Sequence, residues 1–454
     1  MMDLKNKKVL VVGLGKSGLA AALFLRRRGA LVTVSDVRSA EQLAREIPAL
    51  IEAGIMVEVG GHGLLTFRSQ DLIVVSPGVP LDTPELAQVR SFGLPVIGEL
   101  ELAARFLKGR TLAVTGSNGK TTTTTLLGDI LTAAGLPTLV GGNIGVPVVA
   151  LIDDSTDATW SVLEVSSFQL ETTVQFHPEI AVILSITPDH LDRHGSFENY
   201  CAAKERIFAA QTAEDCLVLN ADNTPCAHAA ARSAAKVYWF SVEHPVEQGA
   251  WLEDGQVVYR SAKGAATEIV MPLKGIPLKG AHNVENVLAA VVAARLAGVP
   301  AKSIRSTVEK FQAVEHRLEY VTTRNRVEFY NDSKATNVDA TAKAIAAFSG
   351  GIHLILGGKD KNSDYTLLSD LLRARVSAVY TIGSAAAKIE SHLRGVVTIQ
   401  SCETLDKAVQ AAASSARPGE VVLLAPACSS FDQFENYEQR GLVFKQLVKE
   451  LQDK

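Results

Sequence analysis

The sequence predicts an α/β protein of three domains, each built on a sheet of mainly parallel strands. The chain has 454 residues, which exceeds what a single hydrophobic core usually serves. Two glycine-rich turns each join an apolar strand to a helix, and a third series of alternating strands and helices follows from about residue 314. We therefore expect three domains, at residues 1–98, 99–313 and 314–454.

The composition is typical of a globular protein whose partners are small molecules. Hydrophobic residues make up 47% and charged residues 21%, and the net charge of −4 argues against a nucleic-acid-binding surface. We expect no signal peptide, no membrane span and a monomer. The cysteines are odd in number and have no C-x-x-C spacing, so we expect neither a disulfide framework nor a zinc site, and a reducing cytoplasm. They are Cys201, Cys216, Cys226, Cys402 and Cys428.

The first predicted domain opens with a βαβ unit. An apolar strand at 9–12 is followed by G-L-G-K-S-G at 13–18, a helix to about Arg28 and a second strand that ends at Asp36. This pattern is typical of a dinucleotide site, although the same turn would hold any diphosphate and an ordinary tight turn stays possible. A further strand at 71–76 places Gly78 at the carboxyl edge of this sheet, where ligands of open α/β sheets bind. We expect residues 94–99 to form a linker.

The second predicted domain is organised around T-G-S-N-G-K-T at residues 115–121. A strand at 111–114 precedes this turn, and a helix at 121–134 follows it. Gly116 and Gly119 let backbone N–H groups point at a polyphosphate, while Lys120 would reach its oxygens and the Thr121 hydroxyl would reach Mg²⁺. The loop is shorter than the general phosphate-loop pattern, since valine stands at position 114. An ordinary strand-to-helix turn is the alternative.

Two further segments of this domain contribute to the same predicted sheet edge. The glycine-rich run 141–145 predicts a loop that lets backbone approach a ligand. Glu164 lies among apolar neighbours in a predicted strand at 160–165, which leads into a second predicted loop at 166–170. A carboxylate among apolar neighbours is costly unless it is paired or bound to a metal. Glu164 is therefore predicted to bind Mg²⁺ or to act in catalysis, with a structural salt bridge as the alternative.

A histidine and a lysine extend the candidate site. His190 follows a predicted strand at 181–186, and Lys204 lies in a helical run at 197–210. Each has a simpler interpretation, as a structural histidine and as a surface lysine. Asn283 and Asn286 lie one turn apart on a predicted helix at 280–296, where they could cap the helix or contact an adenine edge.

The third predicted domain is a parallel sheet covered by helices, with functional loops at one edge. Its strands are predicted near 327–330, 353–356, 376–382, 396–399 and 421–424. Three of them are followed by polar loops at 331–337, 357–361 and 425–432. We expect these loops to share one sheet edge and to present lysines, hydroxyls and an aspartate together.

The order of these motifs resembles that of the Mur ligases of peptidoglycan synthesis, along essentially the whole chain, and in particular their D-glutamate-adding branch. The motifs are T-G-S-N-G-K-T (115–121), G-G-N-I-G (141–145), E-V-S-S-F-Q-L (164–170), D-H-L-D-R-H (189–194), A-A-K-E-R-I (202–207), A-H-N-V-E-N (281–286), H-R-L-E (316–319), N-D-S-K-A-T-N (331–337) and S-S-F-D-Q-F (429–434). The resemblance implies a Rossmann-like first domain that binds a UDP substrate, a central ATP-binding domain and a Rossmann-like third domain that binds the amino acid. It also implies an ATP-dependent ligase that adds D-glutamate to UDP-N-acetylmuramoyl-L-alanine through an acyl phosphate.

The resemblance further implies roles for individual residues. The catalytic set is Lys120, Glu164, His190 and Lys204. The expected metal ligands, for two Mg²⁺ ions, are Thr121, Glu164, His190 and a carbamylated Lys204. The expected ATP contacts are Gly116, Ser117, Asn118, Gly119, Lys120, Thr121, Thr122, Asn283, Asn286, Arg317 and Asp332. The expected UDP-substrate contacts are Gly15, Lys16, Ser17, Asp36, Arg38, Gly78, Asn143 and His190, and those for D-glutamate are Lys334, Thr336, Lys361, Ser430 and Phe431.

Three alternatives stay open at this point. A nicotinamide dehydrogenase would explain the first glycine motif but not the second. A regulatory switch that hydrolyses nucleotide would explain the second motif alone. Another Mur ligase or a folylpolyglutamate-type synthetase would add a different amino acid, although the D-N-P-R-type motif of the diaminopimelate- or lysine-adding branch is absent here.

Overall fold

The protein is described here as a computed structural model covering residues 2–312 and 314–451. Three residues at the predicted domain ends, Met1, Ala313 and Lys454, lie outside the described residues. Contacts divide the chain into two compact units. Unit 1 comprises Met1–Ile186, Glu198–Gly275 and Asn286–Val308, and unit 2 comprises Thr187–Phe197, Ile276–Glu285 and Glu309–Lys454. No helix in the described ranges has both the length and the apolar character needed to cross a bilayer.

The first sheet of unit 1 is parallel, with the strand order β3-β2-β1-β4-β5. On one of its faces, Leu10, Val12, Ile73 and Val75 pack against apolar side chains of the α3–α4 segment, including Phe67. The elements are β1 (Lys8–Val12), α1 (Lys16–Arg27), β2 (Leu31–Asp36), α2 (Ile47–Glu52), β3 (Met56–Val59), α3 (Leu64–Arg68), β4 (Leu72–Val75), α4 (Pro84–Ser91) and β5 (Val96–Gly98).

The predicted linker at 94–99 is wrong. Val96–Gly98 forms strand β5, which pairs with β4, and Ile97 is buried. Gly93, Pro95 and Gly98 gave the segment the composition of a linker. A three-residue edge strand needs only one side chain pointing into the core, so the apolar pattern was too short to detect.

The second sheet of unit 1 has nine strands in the order β14-β13-β12-β11-β10-β9-β6-β8-β7. The elements from residue 99 to 308 are α5 (Glu99–Ala104), β6 (Arg110–Thr115), α6 (Lys120–Ala133), β7 (Thr138–Gly142), β8 (Trp160–Glu164), α7 (Ser167–Leu170), β9 (Ile180–Ile183), α8 (Leu191–His194), α9 (Phe197–Glu205), β10 (Cys216–Asn220), α10 (Thr224–Ala229), β11 (Lys236–Ser241), β12 (Gly249–Glu253), β13 (Gln256–Arg260), β14 (Glu268–Pro272), α11 (Ala281–Leu296) and α12 (Ala301–Val308), with 3₁₀ turns at Val148–Asp154, Arg206–Phe208, Ala230–Arg232 and Leu273–Gly275.

Part of this sheet is antiparallel, which the sequence analysis missed. Strand β13 runs antiparallel to β12 and to β14. The turn between β12 and β13 is Asp254-Gly255, with φ values of 49° and 71°. An Asp-Gly pair with two positive φ angles is the preferred two-residue hairpin turn. That dipeptide could have identified the hairpin from the sequence.

Two predicted loops of this region contain regular structure. Gly141 and Gly142 belong to β7 and pair with Leu163 and Glu164 of β8, so the predicted loop at 141–145 begins inside a strand. A Cβ atom on Gly142 would lie 2.2 Å from the Glu164 carbonyl oxygen, so this glycine permits close approach of two strands. The predicted loop at 166–170 forms the helical turn α7, which begins with a capping box between Ser166 and Gln169.

Unit 2 contains the third sheet, in the order β15-β16-β20-β17-β18-β19. Side chains alternate along β17, so Leu354 and Leu356 pack on one face and Ile355 on the other. The elements are β15 (Glu319–Arg324), β16 (Val327–Asn331), α13 (Val338–Ala346), β17 (Ile352–Gly357), α14 (Ser369–Arg375), β18 (Val376–Ile382), α15 (Ala386–His392), β19 (Ile399–Glu403), α16 (Leu405–Ser415), β20 (Val421–Leu424) and α17 (Tyr437–Glu450), with a 3₁₀ turn at Tyr365–Leu368.

The prediction for this sheet needs two corrections. Strand β15 was missed and is antiparallel to β16, so the sheet is not wholly parallel. The strand predicted near 396–399 lies instead at Ile399–Glu403, where it forms an exposed edge with few buried side chains. The α/β class with three mainly parallel sheets is confirmed, and the residue bounds of the three domains stay a prediction.

Glu99 begins α5 as a buried carboxylic acid. Its Oε1 atom accepts a hydrogen bond from the Val149 N–H at 2.8 Å, and its Oε2 atom has no hydrogen-bond partner among the described residues. Burial raises the pKa of Glu99 from 4.5 to about 7. Between these two pH values the folded state binds the proton more tightly than the unfolded state, so stability falls as pH rises through this window and stays lower above it.

We expect Glu99→Gln to remove this pH dependence, because its amide oxygen can still accept from Val149 but cannot ionise. The raised pKa corresponds to a destabilisation of the wild type by about 3 kcal/mol at pH 8. The Tm gain of the variant over the wild type should therefore be larger at pH 8 than at pH 5. Glu52→Gln, at an exposed position in the same unit, is the control. A gain that is equal at both pH values would contradict the prediction.

Candidate functional site

The predicted phosphate loop lies between β6 and α6 at the carboxyl edge of the second sheet. Gly116 and Gly119 have φ values of 149° and 84°. A Cβ atom on Gly119 would lie 2.1 Å from Asn286 Oδ1, so that asparagine packs directly against the loop. The Lys120 Nζ atom donates to the carbonyl oxygens of Gly116 and Ser117, at 2.9 and 3.0 Å. The lysine thus folds back over the loop that it follows.

A buried carboxylate lies beside the first turn of α6. Glu164 ends β8, opposite Val114 of β6 in the register of the two strands. Its Oε2 atom accepts from Thr121 Oγ1 at 2.7 Å, and its Oε1 atom accepts from Asn143 Nδ2 at 2.8 Å. Within residues 2–312 and 314–451, no lysine, arginine or histidine nitrogen lies within 4.0 Å of this carboxylate. The salt-bridge alternative therefore has no partner in the described part of the chain.

Lys204 reaches the same loop from α9. It is fully buried, and its Nζ atom donates to the Gly116 carbonyl oxygen at 2.8 Å. The Nζ atom also lies 4.7 Å from the centre of the Tyr200 ring, whose hydroxyl is 3.0 Å from Ser117 Oγ. The surface-lysine interpretation is therefore wrong. Tyr200 was missed by the sequence analysis, although its position one helical turn before Lys204 could have indicated the contact.

The first glycine motif uses each of its glycines differently. Gly13 has a φ of 87°, and a Cβ atom on Gly18 would lie 1.9 Å from the Gly13 carbonyl oxygen. A Cβ atom on Gly15 would meet no atom within 4 Å, so the backbone there faces open space. These are the positions of a tight turn, close helix packing and free backbone approach to a diphosphate. Lys16 and Ser17 begin α1 directly after Gly15.

Asp36, at the end of β2, contacts the backbone of this glycine motif. Its Oδ2 atom accepts from the Leu14 N–H at 2.7 Å and from Arg38 Nη2 at 2.8 Å, and its Oδ1 atom accepts from Arg38 Nε at 3.1 Å. Burial alone would raise the pKa of Asp36, but the hydrogen bonds from Arg38 and Leu14 lower it below its ordinary value. Gly78 lies in the loop after β4, the strand next to β1, and a Cβ atom at this position would meet no atom within 4 Å.

The three predicted loops of unit 2 follow β16, β17 and β20, which are neighbours in the order β16-β20-β17. The prediction that they share one sheet edge is confirmed. The Lys359 N–H donates to the Ser429 carbonyl at 2.8 Å, and the Ala427 N–H donates to the Ala335 carbonyl at 2.9 Å. Backbone hydrogen bonds therefore connect all three loops.

Asp332 is the buried acid of these loops. Burial raises the pKa of Asp332 to about 6. Its Oδ1 atom lies 3.7 Å from Arg317 Nη1 and has no hydrogen-bond partner among the described residues, so it could accept from a bound hydroxyl. Asn283, also in unit 2, donates from Nδ2 to the Lys279 carbonyl at 2.7 Å. Asn286 belongs to unit 1.

The residues predicted for the amino acid lie around the same edge. Lys361 Nζ is 3.6 Å from Asp189 Oδ1, and Asn337 Nδ2 donates to Asp189 Oδ2 at 2.8 Å. Asp189 was missed as an organising residue. The remaining members are Lys334, whose Nζ atom is 5.2 Å from the Tyr437 ring centre, Thr336 on the loop after β16, buried Ser430 and exposed Phe431.

His190 has a left-handed backbone with a φ of 53°, and its N–H donates to Asp189 Oδ1 at 2.9 Å. It belongs to unit 2, whereas Thr121, Glu164 and Lys204 belong to unit 1. Three of the four predicted metal ligands therefore lie in unit 1, and the fourth, His190, lies in unit 2. It also places Asn143, predicted as a substrate contact, on the Glu164 carboxylate.

The glycine loop joins a strand to a helix at the carboxyl edge of a mainly parallel sheet, and Lys120 and Thr121 open that helix. This arrangement defines a nucleotide-binding α/β enzyme. Three family models match the chain: the Mur ligase MurD-like N-terminal domain over residues 7–98, the Mur ligase middle domain over 114–294 and the Mur ligase glutamate ligase domain over 316–428. The chain belongs to the Mur ligase family.

The chain is similar along its length to curated relatives. It is 71% identical over 447 residues to a UDP-N-acetylmuramoylalanine--D-glutamate ligase from Acidobacterium capsulatum, covering 98% of this chain and 97% of the relative. It is 59% identical to a relative of the same name from Koribacter versatilis, covering 99% of each.

Solved structures of Mur-type ligases share the fold. A pseudomurein peptide ligase type C from Methanothermus fervidus has a TM-score of 0.62 at 20% identity, covering 98% of this chain and 100% of its own. The MurF ligase from Thermotoga maritima, solved in complex with ADP, has a TM-score of 0.59 at 16% identity, covering 99% and 100%.

Proposed function

We propose that this chain is the ATP-dependent ligase that joins D-glutamate to the L-alanine carboxylate of UDP-N-acetylmuramoyl-L-alanine, a step of peptidoglycan precursor synthesis. The observation that carries this proposal is the 71% identity, over 98% of the chain, to a relative named for that reaction. We further propose that the protein acts in the cytoplasm as a monomer, with domains at 1–98, 99–313 and 314–454.

The proposed reaction has two steps. A carboxylate oxygen of the sugar nucleotide attacks the γ-phosphorus of ATP, and ADP leaves with the electron pair of the broken P–O bond. The amine of D-glutamate then attacks the acyl carbon, phosphate leaves and the amine loses a proton. Phosphoryl transfer depends mainly on positioning and charge neutralisation, which the loop N–H groups and Lys120 supply. The rest of the loop, Gly116, Ser117, Asn118, Gly119, Thr121 and Thr122, would line the phosphates, with Asn286 packed against it.

The donor atoms beside the loop suit Mg²⁺. Thr121 and Glu164 offer a hydroxyl and a buried carboxylate, both oxygen ligands of the kind this ion prefers. We propose that they hold one ion, and that His190 and a carbamylated Lys204 serve a second. Carbamylation would convert the Lys204 amine into an oxygen donor. Bound Mg²⁺ would neutralise charge on the phosphate oxygens.

Unit 2 is proposed to bind D-glutamate and part of the nucleotide. The open Oδ1 atom of Asp332 supports a hydrogen bond from a ribose hydroxyl, with Arg317 and Asn283 beside the nucleotide. Lysine ammonium groups suit a substrate with two carboxylates, which supports Lys334 and Lys361 as its partners. Thr336, Ser430 and Phe431 complete the proposed D-glutamate set.

The first glycine motif is proposed to bind the UDP group, through Gly15, Lys16, Ser17, Asp36, Arg38 and Gly78, with Asn143 and His190 serving the remainder of this substrate. We expect Gly15→Ala to raise the KM for UDP-N-acetylmuramoyl-L-alanine about tenfold or more. A methyl group there fits the free protein but occupies the space through which backbone would approach a diphosphate. The Tm should change little.

Gly18→Ala in the same motif is the matched comparison. Its Cβ atom would lie 1.9 Å from the Gly13 carbonyl oxygen, so this variant should lose several degrees in Tm. Substrate titrations and thermal unfolding of both variants separate the two effects. A Gly15→Ala protein with an unchanged KM for the sugar nucleotide would argue against a UDP site at this turn.

The reaction itself is tested by phosphate release and product mass with UDP-N-acetylmuramoyl-L-alanine, ATP, Mg²⁺ and a panel of amino acids. We expect product with D-glutamate only, and no phosphate release when either co-substrate is omitted. Hydrolysis without the sugar nucleotide would favour a regulatory switch. Product with another amino acid would favour a different Mur ligase or a folylpolyglutamate-type synthetase.

A nicotinamide dehydrogenase is tested separately by titrating NADH and following its fluorescence. We expect no tight binding, because a dehydrogenase would leave the second glycine loop, at residues 115–121, without a role. Micromolar binding with reduction of a nicotinamide would overturn the proposed function.

A further inference from the structure

Arg440 lies in the first turns of α17 and is fully buried. Its guanidinium group contacts two loops at the functional edge of unit 2. Nε donates to Ser333 Oγ at 3.0 Å and Nη2 donates to the Ser333 carbonyl at 2.8 Å. Nη1 and Nη2 both donate to the Cys428 carbonyl at 3.2 Å.

Burying a guanidinium cation costs desolvation free energy, which hydrogen bonds or a nearby carboxylate must offset. No carboxylate among the described residues lies within 4.0 Å of the Arg440 side chain, so its hydrogen bonds go to neutral oxygen atoms. Burial lowers the pKa of Arg440 to about 10, so the group is still charged at neutral pH. The planar guanidinium group of arginine has five N–H donors, so it can hold two separate backbone segments at once.

The two segments carry the residues proposed to bind ligands. Ser333 stands between Asp332 and Lys334, and Cys428 is followed closely by Ser430. The same helix makes further contacts with the first segment: Ser333 Oγ donates to the Tyr437 carbonyl at 2.8 Å, and Lys334 Nζ lies 5.2 Å from the Tyr437 ring centre. The start of α17 thus sets the position of both loops.

We propose that Arg440 is a positioning residue for the ligation reaction, which holds loop 331–337 and loop 425–432 in register so that Lys334 and Ser430 face D-glutamate together. This inference rests on the proposed function. Arg440 does not touch the reacting atoms. It acts through the two loops that it joins.

The first test compares Arg440→Lys with Arg375→Lys. A lysine ammonium can reach one loop but cannot reproduce the fork, so the KM for D-glutamate should rise about tenfold to a hundredfold. The KM for UDP-N-acetylmuramoyl-L-alanine should stay within about twofold, since its proposed motif lies in unit 1. Arg375 is the matched control. It directly precedes β18, at the opposite edge of the sheet, and its Nη1 atom donates to the carbonyls of Ala346 and Phe348. Arg375→Lys should lower Tm without changing either KM.

A readout independent of activity is amide hydrogen exchange. In Arg440→Lys, exchange should become faster in both loops 331–337 and 425–432, and in Arg375→Lys it should not. Ser333→Ala provides a second variant, since it removes one acceptor of Arg440 and leaves the two carbonyls in place. It should raise the KM for D-glutamate by less than Arg440→Lys, and the double variant should show less than the product of the two effects.

The possible failures are distinguishable. If Arg440→Lys does not fold, Ser333→Ala decides the outcome. An unchanged KM for D-glutamate together with unchanged exchange in both loops would overturn the positioning role while wild-type activity supports the proposed function. A wild-type protein that forms no amide product would overturn the proposed function, and the exchange data would still report whether Arg440 holds the two loops.

Discussion

Replacing Lys120 with alanine is expected to lower kcat by about 10²–10³-fold, equivalent to about 3–4 kcal/mol of barrier. The ammonium group folds over the phosphate loop, where its acceptors are the carbonyls of Gly116 and Ser117. A polyphosphate in this loop would bring negative oxygens to the same group. With alanine, the charge that develops during phosphoryl transfer loses this stabilisation.

The measurement is phosphate release under saturating substrates, together with the KM for ATP and the Tm. Lys236→Ala is the control, because Lys236 is an exposed lysine on β11 of the same sheet and its closest carboxylate, Glu214, is 4.0 Å away. Turnover by Lys120→Ala within tenfold of the wild type would contradict the role assigned to this lysine. A large loss of Tm would indicate that the lysine mainly stabilises the loop.

The phosphate loop could be predicted from the sequence because its geometry is local. A strand, two glycines and a helix that opens with Lys120 and Thr121 specify their own turn, and strand β6 and helix α6 begin and end within about one residue of the prediction. The first glycine motif is equally local, since the roles of Gly13, Gly15 and Gly18 follow from spacing within one βα turn.

The contacts that complete the site could not be predicted, because they depend on strand register and helix packing between distant segments. Lys204 looks like a surface residue in a short helix of mixed composition, yet packing of α9 directs it to the Gly116 carbonyl. The bond from Asn143 to Glu164 exists because β7 pairs with β8 in one particular register. Arg440 lies 12 residues from Cys428 but 107 residues from Ser333, so no local pattern could indicate that it joins the two loops.

The errors in the fold have a similar origin. Strand β5 has too few apolar residues to be separated from a linker, and β19 is an exposed edge whose polar residues hide its alternation. Strand β15 joins β16 through Asn325-Arg326, where both residues have positive φ angles of 49° and 61°. Arginine is uncommon in that conformation, so composition gave no signal for this hairpin. The Asp254-Gly255 turn, by contrast, carried a signal that was available.

Replacing Glu164 with glutamine is the second change with a large expected effect. The variant should lose at least about 10²-fold in kcat/KM, and the Mg²⁺ concentration for half-maximal activity should rise. Glutamine keeps the size of the side chain but removes the negative charge, and its amide nitrogen would face one of the two donors, Thr121 Oγ1 or Asn143 Nδ2. Removing a buried charge offsets the lost hydrogen bond, so we expect a small change in Tm.

The matched control is Glu179→Gln. Glu179 precedes β9 in the same sheet, and its Oε2 atom accepts from the Thr111 N–H at 2.6 Å, at the amino edge away from the phosphate loop. This variant should retain wild-type activity and Mg²⁺ dependence. Titrations of Mg²⁺ against phosphate release, at fixed ATP, compare the three proteins. If Glu164→Gln loses activity but keeps the wild-type Mg²⁺ midpoint, the carboxylate orients Thr121 and Asn143 and is not a metal ligand, since removing a ligand charge must weaken binding of the ion.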